Sequence, residues 1–269
     1  MMVQQLEHFA DRLNPMVVKE LRQAVRGQAT LGLVYGFLFV QIVVFGVASV
    51  RLDAGGFHPR AGMELFQINA FVMVATLLVG VPIYAGIRTH VERVNDHLTM
   101  VQLTGMGFAR IFWGKFLAAM MINLLILSTM LPFAFTATLL RGIDLPSIAA
   151  VSALTLLCSA ICTVGMLAIG CLMVGPVSRI LWGIFCVFGF GLMLLFNNGM
   201  NLAIIRTGVL SASGWMFCPG GAVTLISGIV LLVLYQSAKH RLTVLSDSYY
   251  LRNMEYQPWY VKMQTGRNQ

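Results

Sequence analysis

FLAAMMINLLILSTMLPFAFTATLL, residues 116–140, runs for 25 residues without an Asp, Glu, Lys or Arg. A helix needs roughly 20 apolar residues to cross the hydrocarbon of a bilayer, and this stretch exceeds that. Five more stretches are equally free of formal charge: Gly27–Val50, Leu65–Ile87, Leu145–Ser178, Ile180–Ile205 and Thr207–Ala238. All are rich in Leu, Val, Ile, Phe and Met, and none shows the alternation of a barrel strand. Lipid offers backbone groups no outside partner, so each run reads as a membrane-crossing helix. The expected fold is all-α and polytopic, with six transmembrane helices near 30–50, 66–87, 116–140, 147–173, 180–196 and 216–237.

The rest of the composition agrees. The 269-residue chain is 58% hydrophobic and 10% charged, against about 25% charged for an ordinary soluble domain. Its mean hydropathy is +0.81. A chain so poor in charge cannot cover its surface with polar groups, which excludes a soluble enzyme, a disordered chain and a nucleic-acid module. The net charge of +8 is explained by where the cations sit. With the N-terminus in the cytoplasm, 14 of the 18 Lys and Arg residues fall on inner segments and four, Arg51, Arg60, Arg141 and Arg206, on outer loops. That bias favours both termini inside, with the positive charge beside an anionic inner leaflet. No nucleic-acid partner is needed to account for it.

Three regions follow: 1–29 as cytoplasmic amphipathic interfacial helices, 30–237 as the six-helix domain with an inner loop at 88–115, and 238–269 as a cytoplasmic tail. The N-terminus does not read as a cleaved leader, because Glu7 and Asp11 fall in its first stretch and the first apolar run starts late. Asn14-Pro15 breaks one helix and starts the next, Asn as cap and Pro in the first turn. In that second helix Val17, Val18, Leu21, Ala24 and Val25 share one face and Lys19, Arg22 and Arg26 lie opposite. This is the pattern of a helix at a membrane surface; a solvated helix packed on a cytosolic partner is the other reading. The outer stretch from about Asn197 to Trp215 is open between a plain loop and a short helix.

The inner loop Arg88–Lys115 carries Arg88, His90, Glu92, Arg93, Asp96 and His97 before Leu98. It reads as a helix from about Val91 to Leu103, ended by Gly105. Met100 and Leu103 lie off its apolar face and need cover, from a partner protein or from the inner ends of the spans.

No catalytic constellation is present: no HExxH, GxSxG or CxxC occurs. Gly107 and Gly114-Lys115 are seven apart with Phe116 following, which does not fit a phosphate loop. The five His are scattered and the five Cys form no disulfide framework. Polar residues inside the spans are the remaining candidates. Gln41, Asn123, Thr129 and Thr155, with Ser128, Thr136, Ser159 and Thr163, either line a pathway or bond across helices and to their own backbone. Pro82 and Pro132 are expected to bend spans two and three, and Gly32-x-x-x-Gly36 offers close helix contact in span one. Every span can be placed without an Asp, Glu, Lys or Arg, which disfavours a proton- or ion-coupled carrier.

Asn14-Pro-Met-Val-Val-Lys-Glu-Leu-Arg22 resembles the start of permease subunits of type-two ABC exporters. So does the central run: Glu92-Arg93 ahead of Leu98, then Leu103-Thr104, Arg110-Ile111 and Gly114-Lys115-Phe-Leu-Ala-Ala119. Thr104-Gly-Met stands where that family has Pro after the Leu. The resemblance implies a non-catalytic transmembrane subunit of the bacterial inner membrane, paired with a second permease copy or a paralogue. Cytosolic ABC ATPase subunits would dock beneath, with ATP and Mg held on those partners and no cofactor on this chain. The 91–104 helix would be the coupling helix, with Met100 and Leu103 as apolar docking contacts, Glu92, Arg93 and His97 as polar ones, and Thr104 also among the docking residues. The direction, export, comes from the family alone. Two other readings stand beside it: a membrane anchoring or assembly factor, for which the aromatic tail (Tyr249, Tyr250, Tyr256, Trp259, Tyr260) argues, and an ion-coupled secondary carrier.

Overall fold

The computed structural model describes residues 15–55, 61–95, 107–139, 143–172, 176–207 and 232–240. Every element among them is helical: α1 (Pro15–Arg26), α2 (Gln28–Gly55), α3 (Ala61–Ala75), a π-helical turn (Thr76–Gly80), α4 (Val81–Val94), α5 (Phe108–Leu139), α6 (Leu145–Leu172) and α7 (Pro176–Thr207). Residues 232–240 are also helical. By length and composition four segments can cross a membrane: Gln28–Val50, Gly62–Val94, Phe108–Leu139 and Leu145–Leu172. They cover the first four expected spans. α7 is one 32-residue helix over the expected fifth, and most of the expected sixth lies outside the described residues.

The helix α3–π–α4 is the centre of the bundle. Leu65, Phe66, Met73, Val74, Leu77, Leu78 and Val81 on it are almost wholly shielded, packed by α2, α5, α6 and α7. The π turn has a local cause in Pro82. The Val81 N–H reaches back to the Thr76 carbonyl, five residues away, and the next donor in that pattern would be Pro82, which has no N–H. Pro132 lies within α5 without interrupting it.

α4 and α6 make the closest helix contact. A Cβ built on Gly170 would lie 2.6 Å from the Gly86 carbonyl oxygen, and one on Gly86 would lie 3.1 Å from the Met166 carbonyl oxygen. Two glycines let the backbones touch, as small residues do between membrane helices. The expected Gly32/Gly36 contact is not made among the described residues, where added Cβ atoms would meet nothing within 4 Å. α2 sits at the edge of the bundle and turns that face outward, with Tyr35, Phe39 and Ile42 exposed beside it.

Two expected boundaries change. Val91–Val94 are the last turn of the long second span rather than the start of a separate 91–103 helix. The chain turns at Asn95 (φ −86°, ψ 12°), whose N–H bonds the Val91 carbonyl at 3.1 Å. Residues 96–106 lie outside the described residues. At the other end, α7 continues unbroken from Asn197 to Thr207, so the stretch left open between loop and short helix is a continuation of the preceding helix over its first eleven residues.

Candidate functional site

α1 begins at Pro15, where Asn14-Pro15 requires it, and packs on α5. Its buried stripe is Val17, Glu20 and Ala24, so a carboxylate sits in what reads as an apolar face. Glu20 Oε1 meets Lys115 Nζ of α5 at 2.8 Å, and its Oε2 meets Arg88 Nη2 of α4 at 3.0 Å. Glu92, one turn beyond Arg88, pairs with Arg88 Nε at 3.4 Å and with Lys115. Arg88 also donates to the Tyr84 hydroxyl at 3.1 Å, and Thr30 on α2 donates to the same hydroxyl at 2.9 Å.

Two carboxylates and two cations thus join α1, α4 and α5 into a neutral cluster, with α2 tied in through Tyr84. Lys115 and Glu20 keep only 6% and 4% of their side-chain surface. Desolvating four charges is costly, and their mutual attraction offsets much of that cost. The set therefore adds little net stability, but losing one member leaves an uncompensated buried charge. A cavity of ≈ 20 Å³ lies against the cluster, bounded by Glu20, Arg88, Lys115, Thr89 and Leu167. It has room for one water.

A second polar set runs through the core. Ser159 on α6 donates to the Leu77 carbonyl at 2.7 Å, the group left without a backbone donor by the π turn and Pro82. Asn123 on α5 donates to Ser159 Oγ at 2.8 Å. One turn of α6 away, Thr155 bonds the Val151 carbonyl at 2.8 Å and stands 3.5 Å from both Asn197 and Asn201 of α7. Asn201 donates to Asn197 Oδ1 at 2.8 Å. Gln41 of α2 donates to Asn69 of α3 at 2.8 Å. Among the described residues Gln41 Oε1, Asn123 Oδ1 and Asn201 Oδ1 have no bonding partner, so within that set each amide keeps a buried acceptor in reserve.

Of the expected pathway residues, Gln41, Asn123 and Thr155 are fully buried and bond across helices. Thr129 stands apart, its hydroxyl bonded to the Ile126 carbonyl of its own helix at 2.7 Å. Of the expected docking residues, Glu92 belongs to the charge cluster and Arg93 to the last turn of α4. His97, Met100, Leu103 and Thr104 lie outside the described residues.

Sequence reasoning missed Glu20 as an inward group, and it missed Asn69, Asn197 and Asn201. The Asn197/Asn201 spacing of four, just after an apolar run, was a usable signal for one polar helix face. Nothing local marked Glu20, because its partners lie on other helices.

Comparison with known proteins yields no match: no family model, no curated protein and no solved structure is similar to this chain.

Proposed function

We propose that this chain is the membrane-spanning subunit of an ATP-driven transporter of the type-two ABC exporter kind. In this reading it has six spans and both termini in the cytoplasm, and it lies in a bacterial inner membrane with α1 at the inner surface. It works as a pair with a second permease chain. Cytosolic ATPase subunits beneath it hold the ATP and Mg and do the hydrolysis.

One observation carries the reading. The two stretches that resemble the family, Asn14–Arg22 and the central run from Glu92 to Ala119, are far apart in sequence. Glu20 of the first and Glu92 of the second both pair with Lys115 of the second in a single buried ionic cluster. Unrelated matches to a loose pattern have no reason to converge on one point in space.

The cluster also suits the work. Residues 95–107 connect α4 to α5 in the chain, and Glu92–Lys115 ties those two helices together. Glu20 adds α1 as a brace. A push on that segment from below then moves α1, α4 and α5 as one body. α4 passes the motion to α6 through the Gly86–Gly170 contact and toward the π turn, where Ser159, itself bonded by Asn123, donates to the Leu77 carbonyl. A proline-adjacent π turn held by side-chain bonds is a place where a span can flex without stranding backbone groups. The hydroxyl and amide groups on α5, α6 and α7 can hydrogen-bond a polar moiety of a substrate without ionising.

The test is co-purification from native membranes. Wild-type chain recovers an ATPase subunit, and Met100→Asp with Leu103→Asp loses it while α5 and α6 stay folded. Recovery of no ATPase by the wild type sinks the proposal. Transport that survives ATP depletion and collapses with an ionophore replaces it with an ion-coupled carrier.

A further inference from the structure

We propose that the outward face of α1, formed by Lys19, Arg22 and Arg26 with Val18 and Gln23 between them, is a binding site for the phosphate groups of anionic lipids in the inner leaflet. The proposal rests on the bundle lying in a membrane and is independent of what the bundle transports.

The charge of that face is decided by the fold. α1 carries four charged side chains, Lys19, Glu20, Arg22 and Arg26. Its single carboxylate, Glu20, is turned inward and neutralised by Lys115 and Arg88. The three cations are exposed, and among the described residues no carboxylate pairs with them. A helix that looks mixed in sequence therefore presents cations alone. Spacings of three and four put them on one face over about 10 Å of helix, and with Val18 and Gln23 they line a surface groove. Gln23 adds amide donors, and Val18 and the aliphatic stems of the cations give apolar contact below the headgroup.

The depth of the face is set independently. The Glu20–Lys115 pair pins the middle of α1 to position 115 of α5. Residues 116–139, beyond it, span about 36 Å as helix, enough to cross the hydrocarbon by themselves. Position 115 thus lies at its inner boundary. Two residues away, half-exposed Trp113 contacts Phe112 and Phe116, and Phe112 and Phe108 contact Tyr235. Aromatic rings of this kind gather at headgroup level. The cations of α1 are therefore held where lipid phosphates are.

Full-length chain in mixed micelles, titrated with phosphatidylglycerol and phosphatidylcholine at equal mole fraction, tests this by native mass spectrometry of retained lipid. Wild type retains phosphatidylglycerol preferentially. Each of Lys19→Gln, Arg22→Gln and Arg26→Gln lowers the preference by up to roughly fivefold, and the triple variant erases it. Gln23→Glu, which adds a carboxylate to the face without touching the core, lowers it as well. Arg206→Gln, near the far end of α7, leaves it intact. Three outcomes overturn the proposal: a wild type with no preference, a triple variant that keeps it, or loss of bound lipid to millimolar inorganic phosphate, which would make the face a free-anion site. Retained lipid preference in the triple variant with loss of a cytosolic protein would assign the face to that protein instead.

Discussion

Lys115 on α5 and Glu20 on α1 lie 95 positions apart in the chain, and their charged atoms meet at 2.8 Å with almost no exposure. The pair fastens α1 to the bundle near the N-terminal end of α5.

Lys115→Met should leave Glu20 and Glu92 sharing only Arg88, a net buried negative charge. The expected loss is about 3–5 kcal/mol, read as a lowered melting temperature in detergent. Adding Glu20→Gln restores neutrality, because Glu92 and Arg88 remain as a pair. The double variant should melt closer to wild type than Lys115→Met does; additive losses would mean the pair is not coupled.

Gly170→Ala places a methyl 2.6 Å from the Gly86 carbonyl oxygen, and backbone cannot yield as a side chain can. α4 and α6 must separate, at about 1–3 kcal/mol. Gly36→Ala, which adds a methyl in open space, should be neutral or slightly stabilising in the same thermal assay. Equal effects at the two positions would contradict the packing described.

Ser159→Ala removes the donor to the Leu77 carbonyl and the acceptor for Asn123 together. Stranding buried polar groups costs about 1–3 kcal/mol each, so this variant should unfold early and exchange amide hydrogens faster around residues 76–82. Ser128→Ala is the contrast. That serine is exposed and bonds the Leu125 carbonyl of its own helix, and its loss should be nearly silent.

Asn95 and Asp144 are both exposed, just past the C-terminal end of α4 and just before the N-terminal end of α6. With an impermeant maleimide on sealed cells, and wild-type labelling subtracted, Asp144→Cys should react at once. Asn95→Cys should react only after permeabilisation. The reverse pattern would invert the topology and take the proposed docking segment away from any ATPase.

Several features were legible in the sequence because they depend on neighbours a few residues away. The charge-free runs are helices long enough to cross a membrane in four cases. α1 starts at Pro15, as the Asn14-Pro15 pair predicts. Pro82 marked a disturbance, though not that it would take the form of a π turn with a carbonyl handed to Ser159. The glycine reading failed in an instructive way. Gly32 and Gly36 have the spacing of a contact motif but face outward, whereas Gly86 and Gly170, which belong to no motif, form the tightest contact. Spacing tells which residues share a face; it does not tell what the face meets.

The amino-acid order by itself determined that four of the charge-free runs form apolar helices long enough to cross a membrane, since hydrocarbon excludes charge and demands backbone bonds within each segment. Only the packing of those helices decided that Glu20, Arg88, Glu92 and Lys115 form one neutral knot, that α1 is left with cations alone on its outer side, and that a serine on α6 completes a turn on α4's approach. Those facts depend on the rotation and depth of one helix against another. Such geometry is fixed by contacts between residues tens of positions apart, and no local pattern encodes it.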